Sequence, residues 1–121
     1  MRAKTTVALM LVFALVGATT AEAAKAPTKI KNVTIQEVSS GRGEYGGKVK
    51  SPKRGCERHR KVTVVHDSDP PFVIGETFTD DEGNWELTGP LPPSGDRIII
   101  KVKKTKKCRG ASETYEVVYK A

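Results

Sequence analysis

From residue 30 to residue 119, apolar and polar side chains alternate in short runs separated by clusters of Gly, Pro, Asp and Ser. A period of two puts successive side chains on opposite faces of an extended chain, so each run reads as a half-buried strand. Seven strands are predicted, at residues 30–38, 45–50, 60–66, 74–79, 84–87, 97–102 and 114–119. No window beyond residue 23 keeps a helical period.

The alternation is clearest in three strands. Val62, Val64 and His66 share a face opposite Lys61, Thr63 and Val65; Ile98, Ile100 and Val102 oppose Arg97, Ile99 and Lys101; Tyr115, Val117 and Tyr119 oppose Glu116, Val118 and Lys120. The first face of each, with Val33, Ile35, Val49, Ile74, Phe78, Trp85 and Leu87, is the expected core. One sheet would leave half of that surface wet, whereas two sheets packed face to face bury it. Turn residues fall where hairpins need them, in SSGRG (residues 39–43) and DDEG (residues 80–83). TGPLPPSG, residues 88–95, reads as a proline-stiffened crossover, and the prolines of DSDPPF stop the third strand.

The order GKVKS, a cysteine, RKVTVV, IGETFTDDEGNWEL and LPPSGDRIIIKV resembles the carboxypeptidase-regulatory-like, transthyretin-like (prealbumin) β-sandwich superfamily, as a bacterial-type secreted single-domain member. The resemblance covers about Gly46 to Val102, and Arg97 stands where the family usually has an aromatic residue. It implies an all-β, seven-stranded antiparallel Greek-key sandwich. It says little about activity, because such modules serve as accessory domains, stalks and enzymes alike.

The N-terminus sharpens the setting. Arg2 and Lys4 precede an apolar run from Thr6 to Val16, and small residues end in Ala21-Glu22-Ala23. That order predicts a signal peptide over residues 1–23, then a flexible leader at 24–29 and one domain at 30–121. The apolar run is too short for a membrane span. The expected location is therefore secreted, extracellular or periplasmic. Losing two cations and one acid with the signal takes the net charge from +7 to +6, so the mature chain stays basic. A basic exported protein meets anionic surface polymers, though surplus charge also keeps a small domain soluble.

Export settles the cysteine chemistry. Cys56 and Cys108 are the only two, and in an oxidising compartment they pair with each other. If consecutive strands run antiparallel, connections alternate between the two ends of the sandwich. The loops carrying Cys56 and Cys108 and the DDEG turn then fall at one end, with HDSDPPF and PLPPSG at the other. A disulfide needs its Cα atoms within about 7 Å, so this agreement tests the strand count. The bridge draws Lys53, Arg54 and Arg58 towards Lys103, Lys104, Lys106, Lys107 and Arg109, a candidate anion-binding end facing only Glu57, Asp80, Asp81 and Glu82.

Other chemistry is poorly served. His66-Asp67-Ser68-Asp69 and Asp80-Asp81-Glu82 sit at opposite ends and suit capped turns better than a metal site. His59 and His66 lack a zinc spacing, and no cofactor is expected. Pairing removes both thiols from catalysis, and no serine elbow is present. The superfamily's hydroxyisourate hydrolase ends in a Tyr-Arg-Gly-Ser-type tail, unlike Val118-Tyr119-Lys120-Ala121 here, so no enzyme is expected. Asn32-Val33-Thr34 is a formal glycosylation acceptor. The expectation is a non-catalytic module with a binding or structural role at the cell surface, its partner an anionic polymer or a protein.

Overall fold

The computed structural model describes residues 25–118. The expected signal segment and Tyr119 lie outside the described residues. Seven strands form: β1 (Lys29–Ser39), β2 (Arg42–Lys50), β3 (Lys61–His66), β4 (Phe72–Phe78), β5 (Asn84–Pro90), β6 (Arg97–Val102) and β7 (Ala111–Glu116). They build a three-stranded sheet ordered β1-β2-β5 and a four-stranded sheet ordered β4-β3-β6-β7. Every ladder between them is antiparallel. Pairing β2 with β5 and β3 with β6 skips two strands each time, which is Greek-key connectivity. Among the described residues, no helix is long and apolar enough to cross a membrane.

The core lies between the sheets. Ile30, Tyr45, Val49 and Trp85 come from one side, and Val62, Val64, Ile74, Ile98, Ile100, Val102 and Val117 from the other. Each such burial is worth about 1.5–3 kcal/mol. The sheets close tightly because glycine faces bulk. Gly75 leaves the space that the Leu87 side chain fills, and a Cβ at Gly89 would lie 2.9 Å from Ile74 Cγ2.

Several expectations need correction. Phe78, assigned to the core, is 61% exposed. A register shift between Val64 and Val65 leaves Ile74 as an extra residue in β4, so beyond it Gly75 and Thr77 pair with the inward Val64 and Val62. That bulge turns Phe78 outward, opposite Lys61. His66 is only half-buried, its Nε2 3.0 Å from Asp96 Oδ2. Ile30, Tyr45, Leu91 and Ala111 join or flank the core unforeseen. DDEG is not a hairpin: it carries the chain from β4 in one sheet to β5 in the other. The last strand starts earlier than expected, because Ala111–Glu116 pairs in full register with Val102 back to Arg97.

The segment expected to be a flexible leader is tied down from Ala26. Ala26 forms a parallel bridge with Cys108, donating to Lys107 O at 3.0 Å and accepting from Arg109 N at 2.9 Å. Thr28 Oγ1 donates to Arg109 O at 2.6 Å.

Candidate functional site

Cys56 and Cys108 are bonded, with Cα atoms 5.6 Å apart and a sequence separation of 52 residues. Both cysteines are buried, and the loops around them are folded locally. Arg54–Cys56 forms a 3-10 turn, with Cys56 N donating to Lys53 O at 2.8 Å. In the other loop Thr105 N donates to Cys108 O at 3.0 Å, while Cys108 N donates to Thr105 Oγ1 at 3.1 Å.

A residue that the sequence reading placed only at the start of the third strand, outside the expected core, organises this end. Arg60 is 2% exposed. Its Nη1 donates to Cys56 O at 2.6 Å and to Thr28 Oγ1 at 3.1 Å. Its Nη2 donates to Lys103 O at 2.9 Å and Arg109 O at 2.8 Å. One planar guanidinium therefore ties the segment before β1, the Cys56 loop and both limbs of the Cys108 loop, a task for which its fixed fork of donors suits it. All four acceptors are neutral. Burial lowers the Arg60 pKa, yet an arginine stays charged. The backbone of Arg60 is equally fixed, its N donating to Thr79 Oγ1 at 2.8 Å and its O accepting from Thr79 N at 2.9 Å. His59 before it has φ 52, a left-handed turn that is uncommon outside glycine. The signal for Arg60 was present in the alternation: counting back from Val64 and Val62, residue 60 faces inward.

Lys53, Arg54, Arg58, Lys103, Lys104, Lys106, Lys107 and Arg109 are all exposed. None takes part in an ion pair among the described residues. Three of the four acids expected to offset them are engaged elsewhere. Glu57 Oε2 accepts from Ser51 N at 3.0 Å, and Asp81 faces His59 at 3.5 Å. Asp80 Oδ1 accepts from Glu82 N and Asn84 N, each at 2.9 Å. Those bonds, Asn84's first and then Glu82's, hold the Asp80 carboxyl below the usual carboxylate range. Asp80 thus serves the turn, and Gly83 at φ 87 completes it.

Further cations belong to the same end. Lys29, Lys31 and Lys50 line a cavity of about 360 Å³ with Pro27, Ser51 and Pro52. Lys61, Lys103 and Lys104 line two adjoining cavities on the outer face of the four-stranded sheet.

The remaining candidates lie apart. His66 faces Asp96, and Asp67 lies 3.9 Å from Arg97, at the opposite end from the disulfide. Ser68 Oγ donates to Pro70 O at 2.8 Å, as a turn residue would. No group of three or more potential metal ligands occurs among the described residues. Asn32 is exposed at a bulge in β1, with φ 56. No family model, curated protein or solved structure matches the chain.

Proposed function

We propose that the chain is an exported, non-catalytic β-sandwich module of the carboxypeptidase-regulatory-like, transthyretin-like kind that binds anionic polymers through its disulfide-tied end. One observation carries the reading: eight exposed cations without ion-pair partners among the described residues stand on two loops joined by a disulfide and a buried arginine. Loops already ordered lose little entropy when they meet a polymer, and their charges attract it without rearrangement. The disulfide and the N-terminal pattern support an oxidising, extracytoplasmic setting. The TDDEGNW turn and the two-sheet layout support the kinship.

Binding by counterion release falls steeply with salt. Dextran sulfate titrated at several salt concentrations tests this. Lys106→Gln with Lys107→Gln removes two cations from the tied loops; Arg42→Gln with Arg97→Gln removes two from the opposite end. The expected result is a flatter salt slope for the first pair and an unchanged one for the second. Equal flattening by both pairs would mean that net charge alone attracts the polymer, and the reading would then reduce to a structural module with a soluble surface.

A further inference from the structure

The outer face of the four-stranded sheet carries a groove that the cationic loops overhang. One part, about 550 Å³, is lined by Thr63, Lys101, Lys103, Lys104 and Ser112 among others. The adjoining part, about 430 Å³, is lined by His59, Lys61, Phe78, Lys103, Lys104 and Thr105. Each is of a size that holds a small ligand, roughly 300–1,000 Å³. Strand pairing fixes the layout. Phe78 stands directly opposite Lys61, and Lys103 N bonds back to Lys61 O. Thr63, Lys101 and Ser112 form the next cross-strand row.

Charge is distributed unevenly along the groove. Lys61 is paired with Glu76 at 3.4 Å and His59 with Asp81 at 3.5 Å, around Phe78. Lys101, Lys103 and Lys104 have no ion-pair partner among the described residues. One end of the groove is thus an exposed aromatic ring between compensated charges, and the other is a set of uncompensated ammonium groups with hydroxyls beside them. Phe78 on β4 and Lys101 on β6 are separated by two strand spacings, roughly 10 Å, while Lys103 and Lys104 line both parts. Of the exposed phenylalanines, Phe72 pairs with His66 at the opposite end, so Phe78 is the one placed beside these cations.

Resting on the anionic-polymer reading above, the geometry points to an acidic polysaccharide as the occupant. A sugar ring lays its apolar C–H face on Phe78, its hydroxyls meet Thr63, Thr105 and Ser112, and the carboxylate or sulfate of a neighbouring sugar meets Lys101, Lys103 and Lys104. A strand of nucleic acid fits less well, because binders of that class stack successive bases on successive aromatic rings and this groove has one.

Phe78→Ala tests the assignment without changing charge. Because Phe78 is 61% exposed, the variant is expected to keep the wild-type melting curve. Four probes are titrated at fixed salt: oligogalacturonate, dextran sulfate, polyphosphate, which has charge and no ring, and oligothymidylate. The expected result is a loss of roughly five- to tenfold in affinity for either acidic sugar polymer, with polyphosphate unchanged. A loss for only one sugar polymer assigns the carboxylated or the sulfated source. Unchanged sugar binding overturns the groove, and the cationic-end reading then stands or falls separately on Lys106 and Lys107. A loss confined to oligothymidylate, or equal for polyphosphate, overturns the polysaccharide as occupant.

Discussion

At the disulfide end, the Cys56 and Cys108 loops crowd cations around a covalent bond and a buried arginine. At the opposite end, Glu37, Glu44, Asp67, Asp69, Asp96 and Glu116 gather near Arg42 and Arg97, and charges there meet partners: His66 with Asp96, Arg97 with Asp67. No covalent tie holds that end. Backbone bonds from Asp67 N to Arg97 O, Gly95 N to Val117 O and Leu91 N to Gly41 O suffice, at 2.8–3.0 Å. The contrast teaches where a small sandwich needs its strongest restraints. Mixed charges help an end to close, whereas like charges oppose closure within about a Debye length of one another, roughly 8–10 Å. The loops that repel are the ones bonded to each other.

The largest effect expected from this contrast comes from Arg60. Arg60→Met removes the donors that hold Cys56 O and Lys103 O, leaving one buried and one part-buried acceptor beside an apolar chain, while Arg109 O keeps its bond from Thr28 Oγ1. Each orphaned group costs about 1–3 kcal/mol, so a total of about 2 kcal/mol or more is expected for the two. A domain of this size loses about 4–8 °C in Tm per kcal/mol, which puts the shift above roughly 8 °C by thermal denaturation. Arg60→Lys should recover only part of it, since one ammonium cannot span the fork. A wild-type melting curve for Arg60→Met would show that the disulfide alone organises this end.

The second test sets the two ends directly against each other. Cys56→Ser with Cys108→Ser opens a long loop and should cost about 2–4 kcal/mol in urea denaturation. Asp96→Asn at the far end breaks only a partly exposed pair with His66, worth about 1 kcal/mol at most. Comparable losses from the two changes would erase the contrast. Combining Arg60→Met with the serine pair should cost less than the sum, because both restraints act on the same carbonyl-bearing loops.

Most of this architecture was legible in the alternation, and the exceptions have specific causes. Seven strands, two sheets and the end shared by the cysteines follow from period two and antiparallel parity, which need no knowledge of packing. Phe78 was misplaced because the bulge at Ile74 reverses the faces of everything after it in β4, and an apolar run with a glycine does not announce where its extra residue sits. Tyr45 and Ile30 were missed because their neighbours, Gly-rich in β2 and Lys-rich in β1, dilute the period. The eight cations were legible as a group because two cysteines mark their loops. Arg60 was not, because a buried arginine without a carboxylate looks like one more charge in a basic run. The groove beside Phe78 depends on that same reversal of faces.

The smallest expected effect concerns the one acidic turn within the cationic end. Asp80 accepts from Asn84 N and Glu82 N, and those bonds favour its charged form and depress its pKa. A depressed folded-state pKa contributes stability that is present above the unfolded value and is lost as pH falls through the folded value. The turn should therefore stay formed at neutral and mildly acidic pH and loosen only below the ordinary carboxylate range. The carboxyl is solvent-exposed, so the readout is local rather than a change in overall stability. Backbone amide shifts of Glu82 and Asn84, followed by NMR, should titrate together with a midpoint below that of a free aspartate, and should stop titrating in Asp80→Asn. A midpoint at the ordinary value would mean the two bonds are not held in solution. Asp80 would then carry the same charge at neutral pH but would not hold the DDEG turn, and the account of that turn as the acid-capped part of the cationic end would fail.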